Sequence, residues 1–141
     1  MKLKVEYMQT EAINPYKNNA KIHTEEQIEQ IKSSITQFGM NDPIAVWGED
    51  NIIVEGHGRL IACKQLGIEK VPVIRLDELT EEQRIAYTLV HNQTTLNTGF
   101  NIDILNAELD NIEYIDMSEF GFDLEELEDV ETESEEEEPK K

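Results

Sequence analysis

A glycine-containing turn joins an apolar stretch to a helical one at "IIVEGHGRLIACKQLG", residues 52–67. Gly56 and Gly58 are expected to let the backbone adopt positive φ and to let a ligand approach closely. A helix that begins near Arg59 would leave backbone N–H groups without partners, and its dipole would add partial positive charge. The turn therefore predicts an anion site in which Gly56, His57, Gly58 and Arg59 bind phosphate, with the Arg59 guanidinium at the rim.

Other interpretations of the same turn stay open at this point. A strand, a glycine and a helix also meet where elements simply pack tightly; His57 is then a hydrogen-bonded turn histidine and Arg59 a partner of Glu55. If the site is enzymatic, Glu55 or His57 is the candidate general base toward a substrate hydroxyl.

Hydrophobic spacing predicts the elements that precede and form this turn. Residues 2–8 alternate as an edge strand would. Thr24 and Gln27 form a capping box that opens an amphipathic helix, and Gly39 ends it. Two short apolar runs, residues 44–47 and 52–54, predict a buried hairpin.

Further elements are predicted after the turn. Gly67 ends the second helix, and residues 71–76 form a strand whose Pro72 requires an edge or an unpaired position. Thr80 and Gln83 repeat the capping box and open a helix through Val90, which residues 92–99 interrupt. A further helix carries Leu105, Leu109 and Ile112.

Composition limits the classes of function. The 141 residues suit one domain, residues 1–122, and the net charge of −19 disfavours strong non-specific DNA binding by the chain itself. Residues 123–138 hold eleven acids and no base, so we expect residues 123–141 to be a disordered acidic tail or linker. No membrane span or signal peptide is indicated, and with the lone Cys63 this predicts a cytoplasmic protein.

The chain resembles the ParB/sulfiredoxin-type domain, most closely the phage and mobile-element branch that often precedes a DNA-modifying methyltransferase. The resemblance covers residues 5–127 and implies an α/β (α+β) fold with a small mixed sheet and flanking helices. The stretches that carry it, in order, are "INPYKNN", "IEQIKSSITQFGMNDPIAV", "IIVEGHGRLIACKQLGIEKVPVI" and "LTEEQRIAYTLVHNQT".

The resemblance also implies a ligand. In partition ParB proteins the turn reads Gly-Glu-Arg-Arg and binds the triphosphate of CTP; Gly56 and Arg59 match its ends, whereas His57 and Gly58 depart from it. Sulfiredoxin has a catalytic Cys where this chain has His57. A serine kinase of the same fold carries Asp-Gly-His-Thr-Arg, which "EGHGR" approaches. A nucleoside triphosphate or diphosphate, with or without Mg²⁺, is the implied cofactor.

Other residues are weaker candidates. The loop after Asn14 borders the nucleotide site in the family, which makes Lys17, or else Lys21, a possible neighbour of the phosphates. Asn92 stands where partition proteins have the Asn of Glu-Asn-x-x-Arg, although helix capping explains it equally well. Trp47 is predicted to be a core or pocket-wall residue. The three histidines lack the spacing of a zinc site, so we expect no metal bound directly by the protein.

These observations favour a nucleotide-binding regulatory or adaptor domain of a phage-type DNA-modification or partition system. Its expected partners are the nucleotide and a DNA-modifying methyltransferase or another DNA-processing protein, with DNA bound weakly or indirectly and no membrane. A small-molecule kinase or NTPase is the first alternative, and a structural interaction module without ligand is the second.

Overall fold

The computed structural model describes residues 2–19, 21–96 and 99–122. The chain divides into two compact units, Met1–Asn97 and Thr98–Lys141. The acidic tail expected at residues 123–141 lies outside the described residues. The elements are β1 (Glu6–Gln9), a 3₁₀ turn (Thr10–Ala12), α1 (Glu25–Phe38), β2 (Ile44–Trp47), β3 (Ile52–Glu55), α2 (His57–Gln65), β4 (Lys70–Arg75), α3 (Glu81–Leu96), α4 (Ile102–Asp110) and a second 3₁₀ turn (Met117–Phe120).

The described strands of the first unit form one mixed sheet in the order β1-β4-β2-β3. β1 and β4 are antiparallel, β4 and β2 are parallel, and β2 and β3 form the predicted antiparallel hairpin, in which Val46 lies opposite Ile53. The small mixed sheet with flanking helices is confirmed.

The position of β4 decides between the two alternatives for Pro72. The strand lies inside the sheet, between β1 and β2, so an edge position is wrong. Pro72 faces Tyr7 of β1, and the parallel pairing with β2 begins one residue later, at Val73 opposite Ile44. A residue without a backbone N–H is tolerated here because it lies outside the β2–β4 ladder.

Helices cover both faces of the sheet. On one face, Leu60 and Cys63 of α2 pack against the core residues Ile44, Val46 and Val73, and Ile35 of α1 packs against the same core. On the other face, the Thr88 hydroxyl of α3 donates to the Val54 carbonyl at 3.2 Å. The central strands are therefore buried on both sides, as the unbroken apolar runs predict.

The helix ends follow local chemistry. Thr24 accepts from the Gln27 N–H, and Thr80 and Gln83 bond to each other reciprocally, which confirms both N-termini. Gly39 ends α1 with a positive φ of 93°. The helix α3 runs beyond the predicted end at Val90 and reaches Leu96.

The second unit contains α4, whose start is capped by Asn101, which accepts from the Ile104 N–H. Leu105 and Leu109 lie in this helix as predicted, whereas Ile112 lies two residues past its end. The rings of Phe100 and Phe122 contact each other with 6.0 Å between centroids. Among the described residues of the whole chain, no helix is long and apolar enough to cross a membrane.

Candidate anion-binding site

The helix α2 starts at the predicted turn, and its first turn is His-Gly-Arg-Leu, so Arg59 lies where the sequence predicts. Gly56 precedes it in a left-handed conformation, with φ 117° and ψ 23°, and no side chain in the described part of the chain caps the helix. The first turns of α1, α3 and α4 each contain acidic residues, whereas that of α2 has none. Its first N–H groups thus remain available to an external anion.

Gly58 needs a different explanation from the one based on backbone conformation. Residue 58 is helical, so the expectation that both glycines adopt positive φ is correct only for Gly56. A Cβ at position 58 would lie 3.0 Å from the His23 ring and 3.0 Å from Cδ1 of Ile31. Glycine is required here because Ile31 of α1 and His23, two residues before that helix, approach α2 too closely for a side chain.

A cavity of about 60 Å³ opens at this helix N-terminus. Cavities that enclose a whole small ligand are several times larger, so this one suits a single small group such as a phosphate. It is lined by Asn19, Lys21, His23, Gln27, Ile31, Val54, Glu55, Gly56, His57, Gly58, Arg59, Thr88 and Asn92.

Arg59 is held at the cavity by two groups. Its Nη2 donates to the Pro43 carbonyl at 3.1 Å, and its Nη1 lies 3.6 Å from Oε1 of Glu55. The Arg59 Nε is buried and has no hydrogen-bond partner in the part of the chain that the structure describes. Oε2 of Glu55 lies 3.3 Å from Nδ1 of His91, which is close enough for an ion pair but lacks hydrogen-bond geometry. Glu55 therefore sits between two potential cations.

His57 is the hydrogen-bonded turn histidine of the alternative interpretation. Its Nε2 accepts from the backbone N–H of Tyr16 at 3.0 Å, which requires a neutral ring with the proton on Nδ1. Burial lowers the pKa of His57 below its ordinary value, and the nearby His23 and Lys21 lower it further, while Glu55 opposes them. A general base must have a free nitrogen, and in this arrangement Nε2 is occupied.

The remaining candidates separate into those inside and outside the cavity. Lys17 is exposed and does not line it, whereas Lys21 does. Asn92 lines it from the interior of α3, so it is not a helix cap. His23 also lines the cavity. Its Nδ1 contacts Oε1 of Gln27 at 2.8 Å, and its Nε2 is buried with no partner within residues 2–19, 21–96 and 99–122.

Arg84 and Thr88, which share a polar face of α3 with Asn92, were not predicted from the sequence. Arg84, Thr88 and Asn92 recur every four residues, and this spacing would have indicated one helix face turned toward the site. Arg84 is buried between two aromatic rings, with Cζ 4.6 Å from the centroid of Tyr16 and 4.9 Å from that of Trp47. Trp47 thus forms a wall around Arg84 and does not line the cavity.

Thiol and metal chemistry receive no support from this geometry. Cys63 is fully buried in the core, and burial raises the pKa of its thiol. Within residues 2–19, 21–96 and 99–122, no group of three or more His, Cys, Asp or Glu side chains is arranged to hold a metal ion.

Comparison with known proteins identifies the family. The model of the ParB N-terminal domain matches residues 2–93. The chain belongs to this family. It is 42% identical over 83 residues to Escherichia coli (strain K12) YnaK, a ParB-like nuclease domain-containing protein; the match covers 59% of this chain and 94% of YnaK.

Solved structures show the same fold. The C-terminally truncated chromosome-partitioning protein ParB from Caulobacter crescentus, complexed with CTP-γ-S, gives a TM-score of 0.61 at 21% identity over 70% of this chain. The chain spans only 57% of that protein's length. A pNOB8-like ParB N-domain gives a TM-score of 0.55 at 15% identity, over 72% of this chain and 42% of the other.

Proposed function

We propose that the chain is a nucleotide-binding ParB-like domain that serves as a regulatory or adaptor module in phage-type DNA modification or DNA partition. One observation carries the proposal: the cavity at the N-terminus of α2 combines uncapped backbone N–H groups with the buried Nε of Arg59, a donor that has no partner among the described residues. Buried donors without partners are rare, so this one, beside free backbone N–H groups, favours a ligand rich in acceptor oxygens. A ParB of the same fold binds a CTP analogue, which supports a nucleotide.

The roles of the residues follow from their positions. Gly56 permits close approach, because a Cβ there would lie 3.1 Å from Nη2 of Arg59. The N–H groups of His57, Gly58 and Arg59 face the phosphate, and the Arg59 guanidinium and the Lys21 ammonium supply charge. Because the cavity is small, the phosphate end of a nucleoside diphosphate or triphosphate enters it and the nucleoside lies outside.

Glu55 opposes an anion unless its charge is compensated. Arg59 lies near this carboxylate, and a nucleotide that arrives with hydrated Mg²⁺ would add a further compensating cation. The carboxylate of Glu55 and the amide oxygen of Asn92 are oxygen donors of the kind that Mg²⁺ prefers, and both line the cavity. The ion would neutralise phosphate charge there.

The partner belongs to the same proposal. A DNA-modifying methyltransferase or another DNA-processing protein is the partner that the sequence resemblance implies, and the acidic composition disfavours strong direct binding of DNA. The cytoplasmic location stays a prediction.

The experiment compares nucleotide binding by the parent with binding by Arg59→Ala, using isothermal titration calorimetry with CTP, ATP, GTP, UTP and their diphosphates in Mg²⁺ buffer. Loss of a hydrogen bond to a charged group costs about 1.5–3 kcal/mol, so the dissociation constant should rise roughly 10- to 150-fold. Lys64→Ala is the matched control, because it removes one positive charge from an exposed position on the same helix, outside the cavity.

The outcomes separate the three functions. Weak nucleotide binding by Arg59→Ala, together with parent-like binding by Lys64→Ala, supports a nucleotide site at the N-terminus of α2. If the parent converts ATP with a small hydroxyl substrate, or hydrolyses a nucleotide, and Glu55→Gln or His57→Ala abolishes this turnover while sparing binding, the enzyme alternative holds. If the parent binds none of the eight nucleotides, the proposal fails and the structural module remains.

A further inference from the structure

Arg84 is a buried cation that the proposed binding of phosphate does not use. Only 4% of the surface of this residue is exposed, and its Nε and Nη1 have no hydrogen-bond partner among the described residues. In the described part of the chain, no carboxylate lies within ion-pair distance of it. Buried charges in proteins are normally paired with an opposite charge, so an unpaired arginine needs another source of stabilisation.

Two aromatic rings supply that stabilisation. The guanidinium carbon lies 4.6 Å from the Tyr16 ring centroid and 4.9 Å from the Trp47 ring centroid, both within cation–π range. Trp47 is itself held, because its Nε1 donates to the Leu79 carbonyl at 2.8 Å. Tyr16 lies in the loop between the first 3₁₀ turn and α1. Because Arg84 belongs to α3, its contact with Tyr16 holds this loop against α3.

The loop that contains Tyr16 is hydrogen-bonded to residues that line the cavity. The Tyr16 N–H donates to Nε2 of His57 at 3.0 Å, and the Tyr16 carbonyl accepts from the N–H of Asn19, a cavity residue, at 3.2 Å. Before Tyr16, the loop is anchored at Asn14, whose carbonyl accepts from the Ile53 N–H at 2.9 Å. Arg84 therefore provides the next anchor point along the loop.

We propose that Arg84 is a positioning residue. Its guanidinium lies between the rings of Tyr16 and Trp47 and holds the loop that contains Tyr16. The Tyr16 N–H then fixes the tautomer of His57, and Asn19 stays at the cavity. The inference rests on the proposed nucleotide site and names a residue that acts on it without touching the ligand. With Nε2 of His57 occupied as an acceptor, its proton is kept on Nδ1. When the loop is released, both tautomers become accessible and the cavity loses a defined wall.

The experiment compares Arg84→Lys and Arg84→Met with the parent full-length chain. Lysine keeps the charge but lacks the planar group that stacks on two rings, and methionine keeps an unbranched, apolar stem without the charge or the guanidinium. Three quantities are measured: the ¹⁵N shifts of the His57 ring, hydrogen exchange at the Tyr16 amide, and the dissociation constant of the nucleotide that the parent binds best. We expect mixed His57 tautomers, at least tenfold faster Tyr16 exchange, and nucleotide binding about five- to tenfold weaker.

Val73→Ala is the matched control for stability, since it removes volume from the buried strand β4, far in sequence from the loop. It should lower the unfolding midpoint and leave the His57 tautomer unchanged. Tyr16→Leu replaces the two Arg84 variants if they do not fold, because it removes one ring and keeps the backbone donor.

A single His57 tautomer and parent-like Tyr16 exchange in these variants would overturn the inference. If the parent binds no nucleotide, the proposed function fails, but the tautomer and the amide exchange still decide the role of Arg84.

Discussion

Replacing Gly58 by alanine tests whether helix packing, and not backbone conformation, selects glycine at the start of α2. Because residue 58 is helical, alanine should gain about 1 kcal/mol in helix propensity. The added Cβ, however, would lie 3.0 Å from both the His23 ring and Cδ1 of Ile31. Overpacking of this kind costs about 1–3 kcal/mol, so the expected net loss in the free energy of unfolding is about 0–2 kcal/mol.

Urea denaturation measures this loss, and a double-mutant cycle identifies its origin. Ile31→Val removes the Cδ1 that the new methyl group would strike, so Gly58→Ala should cost less in the Ile31→Val background than alone. Gly67→Ala is the control, since Gly67 has φ +77° and nothing within 4 Å of an added Cβ. Its cost comes from backbone strain and should not change with Ile31→Val.

Two results would refute the reasoning. If Gly58→Ala is more stable than the parent by the full gain in helix propensity, His23 and Ile31 move away from the added methyl group without an energetic cost. A cycle without coupling would show that contact with Ile31 does not contribute to the cost.

Two further predictions concern single contacts. Burial, His23 and Lys21 lower the pKa of folded His57 against the opposing Glu55, so the neutral ring contributes stability that is complete above about pH 6.5 and is lost as the pH falls toward the lower folded pKa. The urea midpoints of the parent and of His57→Gln should therefore converge at acidic pH. A difference between the two midpoints that stays constant with pH would contradict this. Thr80→Ala removes the cap of α3 and should cost about 1 kcal/mol in thermal unfolding, whereas Thr94→Ala, inside the same helix, should cost less; equal losses would exclude capping as the cause.

Several local features of the fold, each formed within a short stretch of chain, were predicted from the sequence. The capping boxes at Thr24 and Thr80, the hairpin of β2 and β3, and the start of α2 after Gly56 were all predicted correctly. Each depends on residues within one turn or one hairpin, so the local sequence contains all the interacting groups. The anion site proposed at this turn also depends on one short stretch, Gly56 to Arg59, and stays a prediction.

Features that depend on distant residues were not predicted. The sequence alone did not place β4 between β1 and β2, and it named Lys17 first, whereas Lys21 is the lysine that lines the cavity. The predicted positive φ of Gly58 was wrong, since the contact with Ile31 that excludes a side chain there depends on how two helices pack. Similar chain-distant contacts bring Tyr16, Trp47 and Arg84 together.

Sequence by itself thus determined most of the elements, the family resemblance and the glycine turn before α2, because their hydrogen bonds and hydrophobic periods are short-range. Tertiary structure decided which side chains surround that turn, since residues far apart in the chain meet only when the sheet order and the helix packing are set. The neutral state of His57 illustrates the difference. A histidine at the turn is visible in the sequence, but the Tyr16 N–H that occupies its Nε2 comes from a loop 41 residues earlier.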